Sequence, residues 1–174
     1  MFDQITHETA HWADTVQRGD VVLFRFPIRL PGDGDSPKIR PCLVLEADEW
    51  FGERRLTLAF GTSVPDSKNR GYEIPITHPD DIRASGLRRA TRFVAALLVS
   101  VAPNNPGFDI GGPAASPVIG HLPSGRLERM EHVRSRLHAE HDIAAERRRK
   151  RQRTAPTVER RRRKILTHRP TSAA

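Results

Sequence analysis

RPCLVLEADEWFGERRLTLAFGTS, residues 40–63, contains two strand-like runs separated by a turn. Arg40-Pro41-Cys42-Leu43-Val44-Leu45 is a largely apolar strand whose proline sits near its start, where a missing N–H is tolerated. Arg55-Leu56-Thr57-Leu58-Ala59-Phe60 places apolar residues at every second position and ends at Gly61-Thr62-Ser63. Trp50 and Phe51 fall in the turn between them.

The same reading extends outward. Val21 to Phe26 is a buried type of strand, and Tyr72–Thr77, Thr91–Val101 and Val118–Leu122 supply three more. The run Thr91–Val101 is long enough to bend and serve two sheets. Two stretches dense in Pro, Gly and Asp, 27–38 and 103–117, continue neither strand nor helix. Residues 8–17 suggest a short helix before the turn at Gly19-Asp20. From Pro123 the period changes. Leu127, Met130, Val133, Leu137 and Ala144 recur at helical steps, with Ser124 as a candidate N-cap. The fold expected is mainly β with α, a small SH3-like barrel closed by a C-terminal amphipathic helix and followed by a basic tail. Its segments are a helical extension over 1–17, the barrel with its terminal helix over 18–146, and a disordered tail over 147–174.

Charge supports that division. The 174 residues carry a net +8, but residues 147–174 hold 12 of the 29 Lys/Arg and one of the 21 acids, Glu159, so they carry +11. Residues 1–146 are left with 17 bases and 20 acids, a net −3. The tail is therefore the part drawn to polyanions, through Arg147, Arg148, Arg149, Lys150 and Arg151 and a second cluster, Arg160, Arg161, Arg162, Arg163 and Lys164. The bland alternative is a solvated tail. No apolar run reaches the ~18 residues of a membrane span, and the acidic start of the chain has no secretory pattern. A single cysteine, Cys42, allows no internal disulfide and fits a reducing cytoplasm. In an apolar strand it reads as a core residue.

The order of landmarks resembles the MazF/PemK family of toxins (the MazF/PemK/CcdB type of barrel). Those landmarks are Gly19-Asp20-Val21-Val22, Arg40-Pro41-Cys42-Leu43-Val44-Leu45, Gly61-Thr62-Ser63, Ser85-Gly86-Leu87 and Ile119-Gly120-His121-Leu122, spanning about 18–140. The resemblance implies a cytoplasmic homodimer that cleaves single-stranded RNA without a metal or other cofactor and is neutralised by a small antitoxin protein. It implies attack of a 2′-hydroxyl on the adjacent phosphate. Carried onto this chain, the catalytic residues are Arg40 and Thr62, with Ser63 in support. A guanidinium offers a permanent charged fork to phosphate oxygens, and a hydroxyl both donates and accepts. The base is not identified. Two departures stand out: Phe26-Pro27 replaces an Asp-Pro type turn, and Arg92 to Leu97 lacks the acid that some members carry.

Arg25, Arg29, Lys38 and Arg92 are candidate RNA-binding cations, and Trp50 a candidate stacking residue. Each has an ordinary surface reading as well. His7-Glu8-Thr9-Ala10-His11 matches a zinc-protease pattern but has no third ligand motif after it, so no metal site is assigned. The competing function is a catalytically inactive barrel that acts as a binding module and uses its basic tail to hold nucleic acid.

Overall fold

The computed structural model describes residues 11–30, 33–64, 67–111 and 114–154, with side chains to Gln152. Six strands form one antiparallel sheet: β1 Asp20–Phe24, β2 Arg40–Trp50, β3 Glu53–Thr62, β4 Glu73–Ile76, β5 Thr91–Val101 and β6 Val118–His121. Their order is β4-β5-β3-β2-β1-β6, so β4 and β6 are the outer strands. Three helices accompany the sheet among the described residues: α1 Trp12–Thr15, α2 Pro79–Ala84 and α3 Ser124–Thr154. The mainly-β reading with a C-terminal helix is what the chain adopts. No described helix is long and apolar enough to cross a membrane.

The chain divides into two compact units, Met1–Ala139 and Glu140–Ala174. The first contains the sheet and two apolar clusters. Alternation along each strand sends side chains to opposite faces. Val22, Phe24, Cys42, Val44, Leu58 and Phe60 join Trp12 and Val16 in one cluster. Val21, Leu43, Ala59, Ile74, Ile76 and Phe93 join Met130 and Val133 of α3 in the other. Burial of these two α3 residues is complete, and Leu127 and Leu137 pack against the same cluster, so the helical stripe from Leu127 to Leu137 meets the sheet. Described side chains of the second unit are mostly exposed.

Three local differences from the expected elements have physical causes. β2 and β3 run on to a two-residue hairpin at Phe51-Gly52, both at positive φ (51° and 79°), the signature of a type I′ turn. Those distal residues are polar, but the ladder pairs acid with base, Asp48 opposite Arg55 and Glu49 opposite Arg54. A short helix, α2, occupies a stretch to which the sequence reading assigns no element, with His78 capping it and Pro79 in its first turn. β5, expected to serve two sheets, lies within the one sheet between β3 and β4, and the length of the strand is taken up by a register shift against β3 between Ala59 and Phe60.

Gly86 and Gly120 explain two of the sequence landmarks. A Cβ on Gly86 would overlap the Ile119 carbonyl, and one on Gly120 would overlap the backbone of Ser85 and Gly86. The segment that leaves α2 thus lies backbone to backbone against β6, where only glycine fits.

Candidate functional site

Arg40 opens β2 and lies opposite Phe24 of β1. Two residues on, Cys42 lies opposite Phe60 of β3. Extending that register back by two positions sets Arg40 opposite Thr62, and residues directly opposite share a face. Tight packing supports the extension: a Cβ on Gly61 would overlap the Pro41 carbonyl oxygen, so β2 and β3 remain adjacent to this end. Across the next ladder Thr62 lies opposite Arg92, and Arg92 opposite Pro75 of β4. A transverse row, Arg40–Thr62–Arg92, therefore crosses β2, β3 and β5 on one face.

Each member of the row is held by specific partners. The Arg40 guanidinium, 23% exposed, donates through Nη2 to Asp33, whose side chain is 2% exposed. Asp33 also accepts the Leu30 N–H at 2.8 Å, with Lys38 Nζ at 4.0 Å. The Leu30 N–H first, and then the Arg40 hydrogen bond and charge, hold this carboxyl below the ordinary carboxylate range. Arg40 Nε is buried with no acceptor among the described residues. Arg92 Nη1 lies 3.1 Å from Glu73 Oε1, and its Nη2 donates to the Val64 carbonyl. Val64 in turn donates its N–H to Thr62 Oγ1 at 3.1 Å. The residue after Ser63 thus ties Thr62 to Arg92 and leaves the threonine O–H as a donor. Ser63 itself is exposed.

The other sequence candidates divide by location. Arg25 Nη1 donates to the Pro37 carbonyl at 2.9 Å, and Arg29 Nη1 to the Asp35 carbonyl at 3.4 Å. With Lys38 they lie on or beside the 27–38 loop near Arg40, and each arginine gives one N–H to the loop's own backbone. Trp50 is not part of this group. It stands at the far end of β2, ten residues or about 33 Å along the strand from Arg40. There it is 65% exposed beside Phe51, with ring centroids 6.1 Å apart. Arg147, Arg148, Arg149, Lys150 and Arg151 are exposed on the end of α3, with Lys150 paired to Glu146 at 3.0 Å. Arg160 to Lys164 lie outside the described residues, as do His7 to Ala10 of the zinc-type pattern. His11 caps α1, accepting the Ala13 N–H at 3.3 Å. Cys42 is fully buried, and burial pushes its thiol up to about 12, so it is no nucleophile at neutral pH.

Two carboxylates that pair with the arginines of the row escaped the sequence reading. Asp33 sits in a loop rich in Gly and Asp, where any of several acids could have met Arg40. Glu73 opens β4, and its link to Arg92 depends on β4 being the neighbour of β5. Compared with protein-family models and with curated proteins, the sequence matches none.

Proposed function

We propose that the chain is an endoribonuclease that cuts single-stranded RNA at the Arg40–Thr62–Arg92 row, by metal-independent attack of the 2′-hydroxyl on the adjacent phosphate. The 2′-hydroxyl gives up its proton to a base as its oxygen bonds to phosphorus, the 5′-oxygen leaves and takes up one proton in return, and a cyclic phosphate remains. One observation carries the reading: two guanidinia flank a hydroxyl on one sheet face, a pattern suited to a pentavalent phosphorane and its charge. Arg40 stabilises that charge, Thr62 hydrogen-bonds the reacting oxygens, and Ser63 supports it. Asp33 orients Arg40. Its carboxyl, held by the Leu30 N–H and by Arg40 below the ordinary carboxylate range, is a weaker base than a free carboxylate. In this reading the sheet is an SH3-like barrel of the MazF/PemK type, dimeric and bound by a small antitoxin. The contact of the α2–β5 connection with β6 supports curling of the sheet toward closure.

A second reading, a non-catalytic module that binds nucleic acid, is favoured by one fact: both guanidinia already hold carboxylates, Asp33 and Glu73. Incubation of the purified chain with single-stranded RNA and EDTA separates the two. The nuclease reading expects cyclic-phosphate products, with rates lowered about 100-fold or more in Arg40→Ala and also reduced in Thr62→Ala. Binding by a folded wild-type chain that never cuts establishes the second reading instead.

A further inference from the structure

At the edge of the sheet nearest the row, a cavity of about 320 Å³ is lined by Gly71, Glu73, Pro75, Arg126 and Arg129. We propose that it seats a phosphate of the nucleic-acid strand, flanking the one held at the row. This rests on the nuclease reading for its substrate but not for its chemistry.

The first argument is from donors. A guanidinium carries five N–H groups. Arg129 uses Nε and Nη2 on the Glu73 and Gly71 carbonyls, both at 3.4 Å, and Arg126 uses Nε on Asp81 at 2.7 Å. Their other N–H groups have no acceptor among the described residues. The carboxylate in the wall, Glu73, is directed to Arg92. The cavity therefore presents unspent cationic donors, and among the described residues it has no aromatic wall on which a base could stack. An anionic oxygen cluster fits this better than a base does.

The second argument is from position. Glu73 and Pro75 alternate with the core residues Ile74 and Ile76, so they lie on the face of Arg92, which is opposite Pro75. From β3 to β4 is two strand spacings, about 10 Å. A strand lying along Arg40, Thr62 and Arg92 meets the cavity next as it passes over the edge. Arg126 and Arg129 reach that edge from α3, whose Met130 and Val133 are anchored in the core on the other face.

The test uses the full chain and a fluorescent 2′-deoxy oligonucleotide, which carries the phosphates but has no 2′-hydroxyl to react. Pro75→Glu puts a carboxylate at the cavity mouth without removing any side-chain hydrogen bond, and Pro75→Ala is its neutral control. At low salt Pro75→Glu is expected to bind about 2- to 5-fold more weakly than Pro75→Ala, the range of an exposed charge contact. Arg129→Gln is expected to flatten the log–log salt dependence by about 0.7, one phosphate on a single strand. Thermal melting of each variant checks that it is folded. Equal binding by the two Pro75 variants together with an unchanged salt slope in Arg129→Gln overturns the proposal. Inorganic phosphate that titrates Pro75→Ala but not Pro75→Glu, with no difference toward the oligonucleotide, also overturns it, by making this a site for free phosphate. If the oligonucleotide effects appear but wild type never cuts RNA, the nuclease reading falls and the phosphate seat stands.

Discussion

Met130→Ala tests the packing on which the cavity and the row's surroundings depend. Met130 and Val133 are 0% exposed, in one cluster with Leu43, Leu45, Phe93 and Leu122, so α3 is part of the core and not a decoration. Burying a methionine side chain contributes about 1.5–3 kcal/mol by transfer from water. Truncation also leaves a cavity, which brings the usual cost to about 2–5 kcal/mol. A mid-range loss of 3 kcal/mol, at about 2–4 °C per kcal/mol for a chain of this size, lowers Tm by about 10 °C. Two controls fix the interpretation. Met130→Leu keeps the volume and is expected to cost less than about 1.5 kcal/mol. Leu98→Ala removes a side chain that is already 49% exposed and is expected to cost under about 1 kcal/mol. Urea denaturation followed by circular dichroism reads all three. If Met130→Ala is no more harmful than Leu98→Ala, α3 does not pack on the sheet, and the placement of Arg126 and Arg129 falls with it.

Other expectations follow from single contacts. Phe51 adopts φ 51° in the I′ turn while 96% exposed. A left-handed non-glycine residue costs about 1–2 kcal/mol and asparagine less, so Phe51→Asn is expected to raise Tm by about 2 °C, and no gain would contradict the turn type. Cys42 is expected to resist iodoacetamide in the native chain at neutral pH and to react in denaturant; mass spectrometry showing native alkylation would contradict its burial. Burial pushes the Glu46 carboxyl up, but the Arg134 hydrogen bond and charge, with His138 and Thr57, bring it below the ordinary range. Its contribution to stability is therefore full above the unfolded value of about 4.3 and is lost as pH falls through the lower folded value. The stability difference between wild type and Glu46→Gln should shrink from pH 6 to pH 3, and a constant difference would argue against the pair.

Much of the sheet was legible because β-branched and aromatic runs stand between Gly- and Pro-rich breaks. Thr91–Val101 is the clearest case, a strand read at its observed bounds. Helix α3 was legible through Met130 and Val133. Short polar elements were not. α2 has six residues with Ile82 as its large apolar side chain, too few to show a period. The distal half of the β2–β3 hairpin is charged, and its strand character comes from cross-strand register, which one sequence does not display. Arg40 and Thr62 were legible as a pair only through an order of motifs, whereas Asp33 and Glu73 required the tertiary contacts themselves. The long hairpin also explains the placement of Trp50: the turn between the two runs is the far tip of a ribbon, away from Arg40.

The glycine contact between the α2–β5 connection and β6 also limits which residues these positions accept. Residues 85–86 and 119–120 meet through main-chain atoms with no room for a methyl group. Alanine at Gly86 or Gly120 would therefore have to push one main-chain segment off the other, a shift that a flexible side chain could not absorb in its place.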